Sequence, residues 1–254
     1  MERGSPAAAG ADSGEEGTLA HLVDDPSSRK QFLRMVGGAG AAGAFATLVS
    51  ACGAREQPIG VTQAAPDDGV VGEFGPGDVG IVNFALTLEY LEEDFYDQVI
   101  KSDKVKDRAL LKLIKDVYEN EFEHARALER VVEQIGRPVR RPKVDFDKVL
   151  AGGESKILAT SAEVENLGAS AYLGQAARVV DRQILASALA IHTVEARHAA
   201  AFNEMAGNGF SGDDQLIGSF PDGPFAKPQT MKEVMKEAKK FLPEGIPKLE
   251  SPGA

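Results

Sequence analysis

The sequence predicts an all-α protein: a four-helix bundle made of two antiparallel hairpins joined by one long crossover. Three observations predict it. Four segments carry apolar residues at helical spacing. The first and second segments are joined by a short connection, as are the third and fourth, and short connections make antiparallel neighbours. The middle connection, 137–153, is long and holds Pro138, Pro142, Gly152 and Gly153. Extended, it spans roughly 50 Å, whereas a twenty-residue helix is only about 30 Å long. It can therefore run from one end of the bundle to the other.

The first predicted helix covers 78–101, with Asp78 after Gly77 as its cap. The second covers 104–135 and stops at Gly136 and Pro138. The third covers 154–177. The fourth covers 181–206 and closes on Gly207 and Gly209. The bundle domain is thus 78–207. The remainder, 208–254, is rich in Gly and Pro and contains a short basic amphipathic stretch at 231–242. It is expected to be a solvated, partly ordered tail with a short helix.

The formal charge of the chain is −11, and −9 of it falls after residue 51. A mildly acidic body argues against a nucleic-acid binder, which needs a basic face. Cys52 is the only cysteine, so neither a disulfide framework nor a cysteine-based zinc site exists within one chain. Residues 1–27 have a disordered composition. Ser28-Arg29-Lys30-Gln31-Phe32-Leu33-Arg34 precedes a 17-residue uncharged stretch, 35–51, rich in Gly and Ala. That stretch is too short and too weakly apolar for a membrane span and fits a signal peptide. Its start resembles a twin-arginine export signal, with Lys30 at the second arginine position. Its end, Val49-Ser50-Ala51-Cys52, resembles a bacterial lipobox, in which the cysteine is lipidated. The expectation is an export signal at 1–51, a lipid on Cys52, and a flexible Gly/Pro tether at 52–77. The protein would then sit in the cell envelope, anchored to a membrane.

The chemistry lies where charged residues interrupt apolar stripes. The second helix has a stripe at Leu110, Ile114, Val117, Tyr118, Ala125, Leu128, Val132 and Ile135, and it passes through Glu121 and His124. The fourth has Ile184, Ala188, Ile191, Phe202 and Met205, passing through Glu195 and His198. Both interruptions are Glu-x-x-His, a spacing that places the two side chains on one face. The first helix buries Val82, Ala85, Leu88, Phe95, Tyr96 and Val99, with Glu89 and Glu92 on the same stripe. The third buries Leu158, Ser161, Gly168, Tyr172, Ala176 and Val179, with Glu165 among them. Glu93, Asp94, Glu123 and Glu163 fall off the stripes and are expected in solvent.

A group of carboxylates in one core cannot stay ionised unaided, because desolvation costs several kcal/mol per ion. Two divalent cations solve this. Four glutamates and two neutral imidazoles around two dications leave a charge near zero. Carboxylate with imidazole suits iron or manganese. Beyond the signal the chain has three histidines, and two of them stand in these motifs. The halves also repeat: Glu89 precedes Tyr96 by the same interval as Glu165 precedes Tyr172, which implies a pseudo-two-fold axis through the metals.

Asn83 to Glu92, Glu165 to Tyr172 and Glu195 to Ala200 resemble the ferritin-like superfamily of di-metal carboxylate proteins, in particular the bacterial and plant desiccation-related group. The resemblance covers about 78–207. It implies that Glu89 and Glu165 are terminal carboxylates, that Glu121 and Glu195 bridge two iron ions (or manganese), and that His124 and His198 each bind one ion. In bacterioferritin a haem-binding Met follows the second-helix Glu. Phe122 stands there in this chain, so no haem is expected. Glu92 and His192 are expected to pack beside the ligands.

Three functions remain open at this level. One is oxidation of Fe(II), or reaction with O₂ or peroxide, in stress protection, with Tyr96 and Tyr172 as candidate catalytic electron donors or simply core aromatics with satisfied hydroxyls. Another is a manganese catalase-like dismutation of peroxide. The third is a non-enzymatic surface protein of desiccation or stress. The expected partners are metal ions with O₂ or H₂O₂, the membrane through Cys52, and a second copy of the chain in a homodimer.

Overall fold

The computed structural model describes residues 71–221 and 225–250. The expected export signal with Arg29 and Lys30, Cys52, and the expected tether up to residue 70 lie outside the described residues. In chain order the helices are α1 (Val71–Phe74), α2 (Gly77–Ser102), α3 (Arg108–Ile135), α4 (Asp147–Ala151), α5 (Gly153–Ala176), α6 (Arg182–Met205) and α7 (Met231–Ala238), followed by a 3₁₀ turn at Lys239–Phe241. The four long helices α2, α3, α5 and α6 form the bundle.

Caps set the hairpin turns. Asp107 opens α3 by accepting from the amides of Ala109 and Leu110, and Asp181 opens α6 by accepting from those of Gln183 and Ile184. Asp78 is not the cap of α2. It lies inside the first turn, and its carboxylate accepts from the amides of Val180 and Asp181, tying the α5–α6 turn to the start of α2. At the opposite end, Glu154 at the start of α5 accepts from the amides of Lys106 and Asp107 in the α2–α3 turn. These two ties show that the crossover carries the chain from one end of the bundle to the other. On the way it forms the short α4.

Several expectations need correction. The end of the tether is structured: Phe74 of α1 is fully buried and meets Phe84 edge-on at 5.7 Å. The tail packs on the bundle. Met231, Val234, Met235, Ala238, Phe241 and Leu242 are all buried. The tail also bridges to the crossover at Val139 and Leu249, and Gln229 donates to the Ser170 carbonyl of α5. The physical reason is that α2 and α5 are apolar almost all round, and a helix of that kind must be covered on every side. Glu93 is buried, because Arg141 of the crossover folds over it and pairs with both Glu93 and Asp94. Asp94 is partly buried, and so is Glu163, which pairs with Lys240 of the tail. Glu123 is exposed, as expected. Ile135 and Met205 end their stripes exposed, because each is the last residue of its helix and overhangs the core.

Candidate metal centre

Glu89, Glu121, Glu165 and Glu195 are fully buried, and His198 nearly so. The four glutamates arrive from four different helices: Glu89 from α2, Glu121 with His124 from α3, Glu165 from α5, and Glu195 with His198 from α6. The helices bring them into two groups. Glu89, Glu121, His124 and Glu195 can each offer an atom within 4.8 Å of the others, and so can Glu121, Glu165, Glu195 and His198. Glu121 and Glu195 belong to both groups. Neither Glu92 nor His192 belongs to either.

The contacts follow the antiparallel registers. His124 Nδ1 lies 3.0 Å from Glu121, 3.2 Å from Glu195 and 3.3 Å from Glu89. His198 Nδ1 lies 2.9 Å from Glu121 and 3.2 Å from Glu165. The tyrosines cross over. Tyr172 donates to Glu89 Oε1 and Tyr96 to Glu165 Oε1, each at 2.5 Å. A tyrosine two turns along its own helix cannot reach its own glutamate, but α2 and α5 run antiparallel, so each reaches the glutamate of the other hairpin. One oxygen of each terminal carboxylate is thereby held. The other points at an imidazole: Glu89 Oε2 at His124 and Glu165 Oε2 at His198.

Burial and crowding set the protonation. Burial raises Glu121 to about 7, and the nearby Glu165 adds to this while His124 and His198 oppose it. Burial, then Glu121 and Glu89, push Glu195 well above its ordinary range. Glu92 is pushed well up by burial and then by Glu195 and the other carboxylates. Burial also acts upward on Glu89, but the charge and hydrogen bond of His124 bring it below its ordinary value. The imidazoles respond in the opposite sense. Burial opposes protonation of His198, yet Glu165 and Glu121 raise it to about 11. His124 is raised too, chiefly by Glu89. Both tyrosine hydroxyls are raised by burial and then by the carboxylate each one meets.

Two features escaped sequence reasoning. The Asn120 amide lies 3.0 Å from His198 Nε2. The facing atom is the amide nitrogen Nδ2, so with Nδ1 turned to carboxylates the ring is held from both sides, the role of Nε2 following the imidazole tautomer. Asn120 has no periodic signal beyond preceding Glu121. The second feature is Gly168. A methyl group there would stand 2.9 Å from Glu195 Oε2 and 2.9 Å from Glu92 Oε1, so only glycine leaves room for both carboxylates.

The donor set tests the fit of cations. Glu195 Oε2 is buried without a partner, and Glu89 Oε2, Glu121 Oε1 and Glu195 Oε1 have only imidazole nitrogens beside them. Such orphaned acceptors beside imidazole nitrogens suit cations. The fold and the site define a class: helical bundles with a buried carboxylate–histidine cluster able to hold metal. The chain belongs to the ferritin-like family, whose ferritin-like domain matches residues 77–208. No curated protein matches the chain at a significant level.

Proposed function

We propose that this chain is an exported, lipid-anchored ferritin-like protein that binds two iron ions in the cluster and oxidises Fe(II) with O₂ or peroxide, in stress protection. One observation carries the reading: two four-residue groups share Glu121 and Glu195, so two cations fit side by side with two common carboxylates. Glu89 with His124 would complete one position and Glu165 with His198 the other. When bound, the iron supplies one-electron redox chemistry at each of two adjacent centres.

The rest falls to the chain. Tyr96 and Tyr172 each hold one oxygen of a terminal carboxylate, which leaves the other free to face the cluster. This supports a positioning role for both tyrosines. Asn120 fixes the ring of His198. Burial excludes water from the carboxylates and strengthens every charge interaction among them. Glu121, Glu195 and both imidazoles, whose protonated forms the fold favours, would give up those protons to hold cations.

The test is metal analysis of natively purified protein, followed by anaerobic Fe(II) loading and exposure to O₂ or H₂O₂. The expected result is about two metals per chain and oxidation on exposure. Protein that binds no iron, or binds it and leaves it reduced, overturns the proposal. Labelled palmitate entering the wild type but not Cys52→Ala is the matching test of the anchor.

A further inference from the structure

At the end of the bundle where α2 and α6 begin and α3 and α5 finish, the four helices do not close on one another. Val82, Ala85 and Leu88 of α2, Leu128 of α3, Ala176 of α5 and Ala188 of α6 line a pocket there. The alanines of the lining are too small to fill the gap, which has a free volume of about 30 Å³. The ring of Tyr172 forms part of the wall, and its hydroxyl donates to Glu89 of the candidate centre. The wall also includes Gln175, which is buried. Its Oε1 accepts from Arg178, but its Nε2 has no acceptor.

Size and polarity decide what such a pocket takes. A cavity that binds benzene is about 150 Å³, far larger than this one. A buried water needs two to four polar partners. Among the described residues, the one buried side-chain atom of this lining left without a partner is a donor, Gln175 Nε2. Apart from Gln175 and the Ser187 and Tyr172 hydroxyls the lining is apolar, so hydrogen peroxide, with two donors and two acceptors of its own, is poorly matched there. A small apolar molecule that needs no hydrogen bonds fits all three conditions.

The geometry points to this pocket as a dioxygen site that feeds the carboxylate cluster from the Tyr172 side. The inference rests on the iron reading above and narrows it: O₂, not peroxide, is the oxidant this route serves. The reaction balances as two Fe(II) losing one electron each, while O₂ takes up two electrons and two protons to give H₂O₂ and two Fe(III).

The test fills the pocket with Ala188→Leu, with the smaller Ala188→Val as a second variant and the outward Ala186→Leu as control. Crystals of the full chain under xenon pressure are expected to show xenon in the wild type and in Ala186→Leu, and none in Ala188→Leu. Anaerobic Fe(II) stoichiometry is expected to stay at the wild-type level in all of them. O₂-driven oxidation is expected to fall severalfold in Ala188→Leu and less in Ala188→Val, while H₂O₂-driven oxidation stays unchanged. If the wild type binds no Fe(II), the iron reading fails whatever xenon shows. If Fe(II) binds but xenon does not enter, or O₂-driven oxidation is unaffected by filling, the pocket inference is overturned. An equal loss with both oxidants overturns it as well. If Ala188→Leu does not fold, Ala188→Val decides by the same outcomes.

Discussion

Raising the pH of the metal-free chain from 5 to 7.5 should destabilise it. Glu121 has an ordinary pKa of 4.5 and is held near 7 in the fold, first by burial and then by Glu165. Between those values the folded chain binds more protons than the unfolded one, so stability falls as pH rises. The contribution is fully present below 4.5 and is lost on passing through 7. Each pKa unit is worth about 1.4 kcal/mol, so Glu121 alone removes about 2 kcal/mol between pH 5 and 7.5. Glu195 and Glu92, both raised by burial, act in the same direction. His198, ordinarily 6.5 and held at about 11, adds to the loss above pH 6.5. Glu89 is lowered, so its stabilisation is present above 4.5 and is lost only as pH falls below that. It does not compensate in this window. For a domain of this size, about 2 kcal/mol corresponds to a melting shift of roughly 4–8 °C. Cations prefer ionised ligands and bind only the folded chain. Fe(II) or Mn(II) should therefore raise the melting temperature more at pH 7.5 than at pH 5. The assay is calorimetry of chelator-treated and metal-loaded protein at both values in the same salt. Metal-free stability that is flat or rises with pH, or a larger metal-induced shift at pH 5, would refute the clustering of these carboxylates.

Four further outcomes are expected. Glu121→Ala and Glu195→Ala should each lower metal content from about two per chain towards one or none, while the exposed Glu123→Ala leaves it unchanged; equal content in all three would remove the shared-ligand argument. Asn120→Ala should weaken metal binding by about 10–100-fold without changing the number bound at saturation, as read by titration calorimetry. Gly168→Ala should displace the Glu195 or Glu92 carboxylate, visible in a crystal structure as a moved side chain and in titration as one weakened cation; unaltered binding would show that the gap is not needed. Met231→Ala should cost about 2–4 kcal/mol in denaturant unfolding with metal stoichiometry intact, and a value near zero would return the tail to solvent.

Much of the centre was legible because a helix exposes its own contradictions. An apolar stripe through Glu121 and His124 has to be answered by something that accepts buried charge, and periodicity alone locates it. The bundle order was legible for a similar reason, since the length of 137–153 permits an end-to-end crossover. What the sequence withheld depends on register between helices. That Tyr172 meets Glu89, and not Glu165, follows from where α2 and α5 lie antiparallel, which no single helix encodes. Glu93 looked solvated because its partner, Arg141, stands in the crossover, far away along the chain. The packed tail had a signal that was not used. Between Asp78 and Glu89 the first helix has no charged residue, so it has no face fit for water, and something outside the four-helix set had to cover it.

The two hairpins repeat, and the places where the repeat breaks bear on how the site works. The offset that relates Glu89 to Glu165 and Tyr96 to Tyr172 relates Glu92 to Gly168. A methyl group at 168 already stands 2.9 Å from Glu92 Oε1, so the space holds one carboxylate and not two. A glutamate at both positions would place two more like charges in a core that already buries four. Glu92 itself is pushed well up by burial and by its neighbours, which favours its uncharged form. Its carboxyl and that of Glu195 both border the space left at Gly168. Asn120 breaks the repeat in the same way. Its counterpart is Val194, so His198 has an amide behind it and His124 does not. The residues able to grip two cations are thus related by near two-fold symmetry, while their surroundings are not. Glu121 touches both imidazoles and Glu195 only His124. The two candidate cation positions are therefore unequally surrounded, with Glu121 shared by both imidazoles and an amide held against the ring of His198 alone.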